Sequence, residues 1–107
     1  MYRLLVLVPL LLIALGGCPP RSEGPAPEVD AAMVQRAQAQ WPDADQAQLQ
    51  RGRDLLFGEC AECHARPGPS SEPRTAWPGI AERMAKKCGL DADQREALTR
   101  YLVAGAP

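Results

Sequence analysis

The chain has 107 residues, 46% of them apolar, with 12 basic and 13 acidic side chains and four cysteines. That length holds one small domain at most. The formal net charge of −1, with no stripe of Lys or Arg interleaved with aromatics, leaves nothing to grip a phosphate backbone, so nucleic acid is not an expected partner.

In chain order, Met1-Tyr2-Arg3 is cationic and Leu4 to Leu15 is apolar apart from Pro9. This is the charged start and short apolar stretch of an export signal, too short and wrongly flanked for a membrane span. Leu15-Gly16-Gly17-Cys18 then resembles the lipobox of bacterial lipoproteins. The resemblance implies a signal peptide over 1–17, a diacylglycerol group on Cys18 as the lipidation site, and a mature chain held in a bilayer. With Pro19 rather than aspartate next, it implies the periplasmic side of the outer membrane. The competing expectation is an ordinary soluble export signal cut near Pro19-Pro20. Without residues 1–17, 90 residues remain with 11 basic and 13 acidic side chains.

Arg21 to Glu28, with Gly24, Pro25 and Pro27, has no apolar period and reads as a tether. A short helix is expected from Val29 through Ala39, ended by Trp41-Pro42 because a residue before proline is pushed out of the helical region. Residues 18–43 are thus expected as a lipid-anchored tether with a short helix, and 44–107 as the folded domain. Asp43 or Asp45 can cap the next helix, about Ala44 to Gly58, whose apolar face carries Leu49, Gly52, Leu56 and Phe57. Gly52 in mid-helix costs roughly 1 kcal/mol of propensity, and close approach of another helix is the expected compensation.

That helix runs into Cys60-Ala61-Glu62-Cys63-His64, the C-x-x-C-H form that attaches a c-type haem. Two cysteines three positions apart on a helical turn point to one side and can each form a thioether to the same porphyrin. The adjacent imidazole of His64 can then lie under the iron. His64 is the only histidine, so neither a bis-histidine haem nor a zinc site with two imidazoles can be built. A thioredoxin-like dithiol would belong beside a βαβ pattern, and nothing reads as a strand. Pairing the four cysteines as two disulfides would leave both Cys18 and the haem motif unexplained.

Ala65 to Arg74 has three prolines and one glycine in ten residues and cannot be a regular element. Its carbonyls, Pro67 first, are the natural acceptors for the second ring N–H of His64, and Arg66 and Arg74 are the nearest cations for haem propionates. A helix over Trp77 to Lys87, with proline in its first turn, sets Trp77, Ile80 or Ala81, and Met84 on one face. Gly89 ends it. Asp91 starts a last helix with Gln94 completing a capping box, and Ala97, Leu98, Tyr101 and Leu102 form its buried face. For the second axial position the soft donors are Met84, Met33 and Cys88. An open position would instead suit a haem-based sensor or binder of small ligands.

Taken together, Gly52 to His64, Trp77 to Met84, and the capped helix ending in Tyr101-Leu102 resemble a very short single-haem class I cytochrome c, over about Leu49 to Ala104. The resemblance implies an all-α, cytochrome c-like fold of three to four short helices around one covalently attached haem c. It further implies cofactor binding by Cys60, Cys63, His64 and Met84, with His64 and Met84 on the iron. Gly52 and Phe57 would then meet Leu98, Tyr101 and Leu102 where the two helices cross. The stretch from His64 to the methionine departs from the common pattern and is similar to a branch of small cytochromes with Trp-x-x-x-x-x-x-Met. The expected role is that of an electron carrier rather than an enzyme, docking transiently with periplasmic or membrane redox proteins. The apolar side chains expected to line its core include Leu49, Leu55, Phe57, Ile80, Leu90 and Val103.

Overall fold

The computed structural model describes residues 25–58 and 68–107. Cys18, and the stretch that contains Cys60, Cys63, His64, Arg66 and Pro67, lie outside the described residues. Within them the chain is helical, as expected, with no strand: α1 (Ala31–Gln40), α2 (Gln46–Phe57), α3 (Trp77–Cys88) and α4 (Ala92–Gly105), with 3₁₀ turns at Pro69–Ser71 and Arg74–Ala76 before α3. None of these helices is long and apolar enough to cross a membrane.

Three helices begin in the same way. Asp30, Asp45 and Asp91 each stand in extended backbone and accept, at 2.8 Å, the amide of the residue three positions on: Met33, Gln48 and Gln94. Each such cap stabilises its helix by about 1 kcal/mol. The Gln94 side chain also accepts from the Asp91 amide at 3.0 Å, which completes the expected capping box. Of the two aspartates available to cap α2, Asp45 does so, and Asp43 turns to Arg100. Trp41, before Pro42, leaves the helical region and ends α1. Gly89, at φ +67°, ends α3 in the left-handed conformation.

The bundle is built on α4. Its buried residues run nearly all round its last two turns, Ala97, Leu98 and Arg100 to Ala104, because α1, α2 and α3 all pack on it. The tightest of these contacts is at Gly52 of α2. A Cβ there would lie 2.1 Å from the Ala97 carbonyl oxygen and 2.8 Å from the Tyr101 Cβ, so the two backbones touch where a side chain is missing. The close approach expected from sequence is therefore present, and it is backbone against backbone.

The segment before α2 joins the same core. Val29, Met33, Ala37 and Ala44 are buried with the α2, α3 and α4 residues. Arg36 Nε donates to the Ala104 carbonyl at 3.0 Å, and Arg74 Nη2 donates to the Ala106 carbonyl at 3.3 Å. Both satisfy carbonyls at the end of α4 that lack a helical partner.

Phe57 departs from expectation. It is 50% exposed and takes no part in the core. At 100° per residue, Leu49, Gly52, Leu55 and Leu56 centre a face from which position 57 is turned by roughly 130°. The three-and-four spacing reached Leu56, and Phe57 follows it on the flank.

Arg100 is 5% exposed and joins α4 to the loop between α1 and α2. It donates to Asp43 Oδ2 at 3.0 Å, Gln48 Oε1 at 2.9 Å and Glu96 Oε1 at 2.6 Å, and its guanidinium lies 5.3 Å from the Trp41 ring centroid. The hydrogen bond from Arg100, chiefly, holds the Asp43 carboxyl below its ordinary value of 3.8.

Two outcomes are expected. Gly52→Ala lowers stability by about 2 kcal/mol or more, because the added methyl strikes a backbone carbonyl that cannot turn aside; a urea midpoint equal to that of the parent would refute the contact. A carboxylate with a depressed folded pKa contributes stability above its unfolded pKa and loses it as pH falls through the folded one. Thermal melts from neutral to strongly acid pH should therefore show the parent losing more stability than Asp43→Asn below about pH 4; parallel curves would exclude it.

Candidate functional site

Cys60, Cys63 and His64 fall outside the described residues, so the site is delimited by what leads into the motif and what leads out of it. On the entering side, α2 stops at Phe57, and Gly58 donates its amide to the Asp54 carbonyl at 3.0 Å. Leu55 and Leu56 bury the inner side of this last turn. Arg53 lies over the Phe57 ring, 4.8 Å from its centroid. The same guanidinium donates from Nε to the Pro27 carbonyl at 3.1 Å and from Nη2 to the Ala26 carbonyl at 3.3 Å. Tyr101 adds a hydroxyl bond to Pro27 at 2.7 Å. The incoming chain is thus clasped beside the last turn before the motif.

On the leaving side, Gly68 and Pro69 are buried. The Gly68 carbonyl accepts from the Ser71 amide at 3.0 Å and from its hydroxyl at 2.7 Å. Trp77, fully buried at the start of α3, donates Nε1–H to the Pro69 carbonyl at 2.8 Å. Pro69 in turn packs on Gly105 of α4, where a Cβ would lie 2.9 Å from the proline Cβ. A proline-rich stretch makes no ladder of its own, so its backbone is held by a helix side chain and by a gap in a helix surface.

Met84 lies on the inner face of α3 with Trp77, Ala81 and Ala85, and is 7% exposed. Cys88, one turn on, is half-buried against the same core. Met33 is fully buried on α1, its Cε 3.7 Å from the Cβ position of Gly105. Arg74, expected near the propionates, is exposed and holds the carbonyl of Ala106. The outer face of α3 exposes Arg83, Lys86 and Lys87, the last two suited to the negative end of its dipole. The Glu82–Lys86 pair at 3.9 Å is exposed on both sides and adds little. Among the described residues, no three His, Cys, Asp or Glu side chains converge where a metal ion could be held.

Two arginines that matter were not singled out from sequence. Arg53 carries the clasp and Arg100 the buried junction; their partners lie 26 and 57 residues away. The only local signal was Glu96, four residues before Arg100 on one helical face.

No protein-family model, curated protein or solved structure matches the chain.

Trp77→Phe should keep an aromatic ring in the core but remove the donor, leaving a buried carbonyl unpaired at a cost of about 1–3 kcal/mol, with the loss of the larger indole adding a packing cost. Amide hydrogen exchange at Gly68, Ser70 and Ser71 is expected to accelerate; unchanged exchange would show that the bond does not hold this loop.

Proposed function

We propose that this chain is an exported, lipid-anchored electron carrier with one haem c, which Cys60 and Cys63 would hold covalently and whose iron His64 and Met84 would bind. The observation that carries the reading is the C-x-x-C-H run, containing the chain's only histidine, which begins three residues past the end of a helix whose glycine meets the last helix of an all-α bundle. The residues present fit the group. Two thiols three apart suit two thioether bonds to one porphyrin, and imidazole with thioether is a donor pair for haem iron. Phe57, three residues before Cys60, leaves apolar surface in water of the kind that a porphyrin face covers.

When bound, the group supplies a one-electron couple at iron. The side chains hold and tune it. Cys60 and Cys63 would fix it just past the end of α2, and a carbonyl acceptor on the second nitrogen of His64, for which Pro67 stands first, would set the tautomer of that ring. Met84, a thioether on a helix packed against α4, favours a higher potential than the Cys88 thiolate would one turn later. No side chain has to move a proton or attack a substrate, and weak, transient docking with redox proteins is sufficient. Lipid on Cys18 keeps the carrier at a bilayer, on the periplasmic side of the outer membrane.

The test is spectroscopic. Cys60→Ser or Cys63→Ser should give no stable protein with doubly attached haem, judged by intact mass and the reduced haemochrome spectrum. Met84→Ala should lose the long-wavelength methionine–iron band of the oxidised protein, lower its potential and open it to carbon monoxide. An unchanged spectrum and potential would remove Met84 from the iron.

A further inference from the structure

Trp41 and the outer side of α4 enclose a groove of about 410 Å³, within the size of small-ligand sites. None of its residues serves the proposed haem or lipid. The Trp41 ring is half-buried against the core and is held in place by its surroundings. Its amide donates to the Ala37 carbonyl at 2.7 Å, its carbonyl accepts from the Ala44 amide at 2.9 Å, and the Arg100 guanidinium lies 5.3 Å from the ring centroid. Arg100 is itself locked by Asp43, Gln48 and Glu96, so this wall is built in advance and a ligand has little left to order.

The polar groups left over define what fits. The indole N–H of Trp41 and the side chains of Asp93 and Arg95 have no partner among the described residues. The Thr99 hydroxyl donates to the Arg95 carbonyl at 2.7 Å and keeps its lone pairs. The Nε–H of Arg100, a residue 5% exposed, has no acceptor there either. The groove thus offers donors and acceptors beside an aromatic face. Its two carboxylates, Asp93 and Glu96, are matched by two guanidinium groups, Arg95 and Arg100, so no net charge draws an ion. A cation would find its place over the indole taken by Arg100, and an anion would find only Arg95 free, offset by Asp93. A wholly apolar ligand would cover Asp93, Arg95 and the indole N–H without pairing them. What fits is a neutral molecule with one apolar face and a rim of hydroxyls, which describes a pyranose ring.

We propose that this groove binds a neutral saccharide, with one ring stacked by its C–H face on Trp41 and hydroxyls bonded by Asp93, Arg95 and Thr99. Ala92 to Thr99 rise about 10 Å along α4, so the polar strip extends past one sugar ring and suits a short oligosaccharide.

The full-length, haem-loaded, ¹⁵N-labelled protein, reduced and held in phosphocholine micelles free of sugar-based detergent, would be titrated with cellotetraose and with tetra-N-acetylchitotetraose. The chain has two tryptophans, so the indole region of the NMR spectrum holds an internal control in Trp77, buried and bonded to Pro69. At least one of the two saccharides is expected to move the Trp41 signal saturably and leave the Trp77 signal in place. Asp93→Ala and Arg95→Ala, both at exposed positions, should each weaken the affinity about fivefold, and Arg83→Ala on α3 should leave it unchanged. A Trp41 signal that neither saccharide moves, or that moves in step with Trp77, would overturn the proposal. An affinity that the Asp93 and Arg95 variants leave intact would overturn it equally. The site needs neither the haem nor the lipid, so its failure leaves the proposed function standing.

Discussion

Everything in this small bundle depends on the contact between Gly52 of α2 and the Ala97 carbonyl of α4. With no Cβ at position 52, two backbones meet at a distance that no other residue permits, and the side chains on either side close around the point. Leu49 and Leu56 lie one turn away in each direction along α2, and Leu98, Tyr101 and Leu102 complete the contact from α4. The helix propensity lost at the glycine, about 1 kcal/mol, is offset by apolar area removed from water on both helices. Because α1 and α3 also pack on α4, the angle at this crossing sets the position of every other element.

The crossing also decides how the segment around the C-x-x-C-H run is framed. Its entrance is the end of α2, fixed by the crossing and clasped by Arg53 to Pro27. Its exit is Gly68-Pro69, held by Trp77 of α3 and seated on Gly105 of α4. Both ends therefore belong to one rigid unit, and Met84 belongs to it through α3. For the proposed haem this matters more than any single residue, since anchoring cysteines after α2 and a thioether donor on α3 would serve one group only if the elements carrying them do not move relative to each other.

A domain this short buries a thin core, and the chain compensates at its edges. α1 adds Met33 and Ala37 to the interior and ties itself to the end of α4 through Arg36. Arg100 bonds Asp43, Gln48 and Glu96 from within, so the loop between α1 and α2 is held by charge-assisted bonds in addition to the apolar contacts of Ala44 and Trp41. Pairing one buried guanidinium with two carboxylates that remain in water limits the desolvation cost to the arginine.

What the sequence by itself determined is what local chemistry can carry. Aspartate caps act over three residues, proline and glycine end helices where they stand, a C-x-x-C-H run has its meaning within five residues, and a mid-helix glycine calls for a neighbour. The helices, their boundaries to within two residues, the capping box at Asp91 and the closeness at Gly52 were all legible for that reason. Only the tertiary structure decided that Phe57 stands half in water, that Asp43 serves Arg100 while Asp45 caps α2, that Met33 is core, and that Arg53 clasps the incoming chain beside the motif. Each of these depends on which side of a helix meets a segment far along the chain. Such pairings follow from packing the whole bundle and leave no periodic trace in the residues that make them.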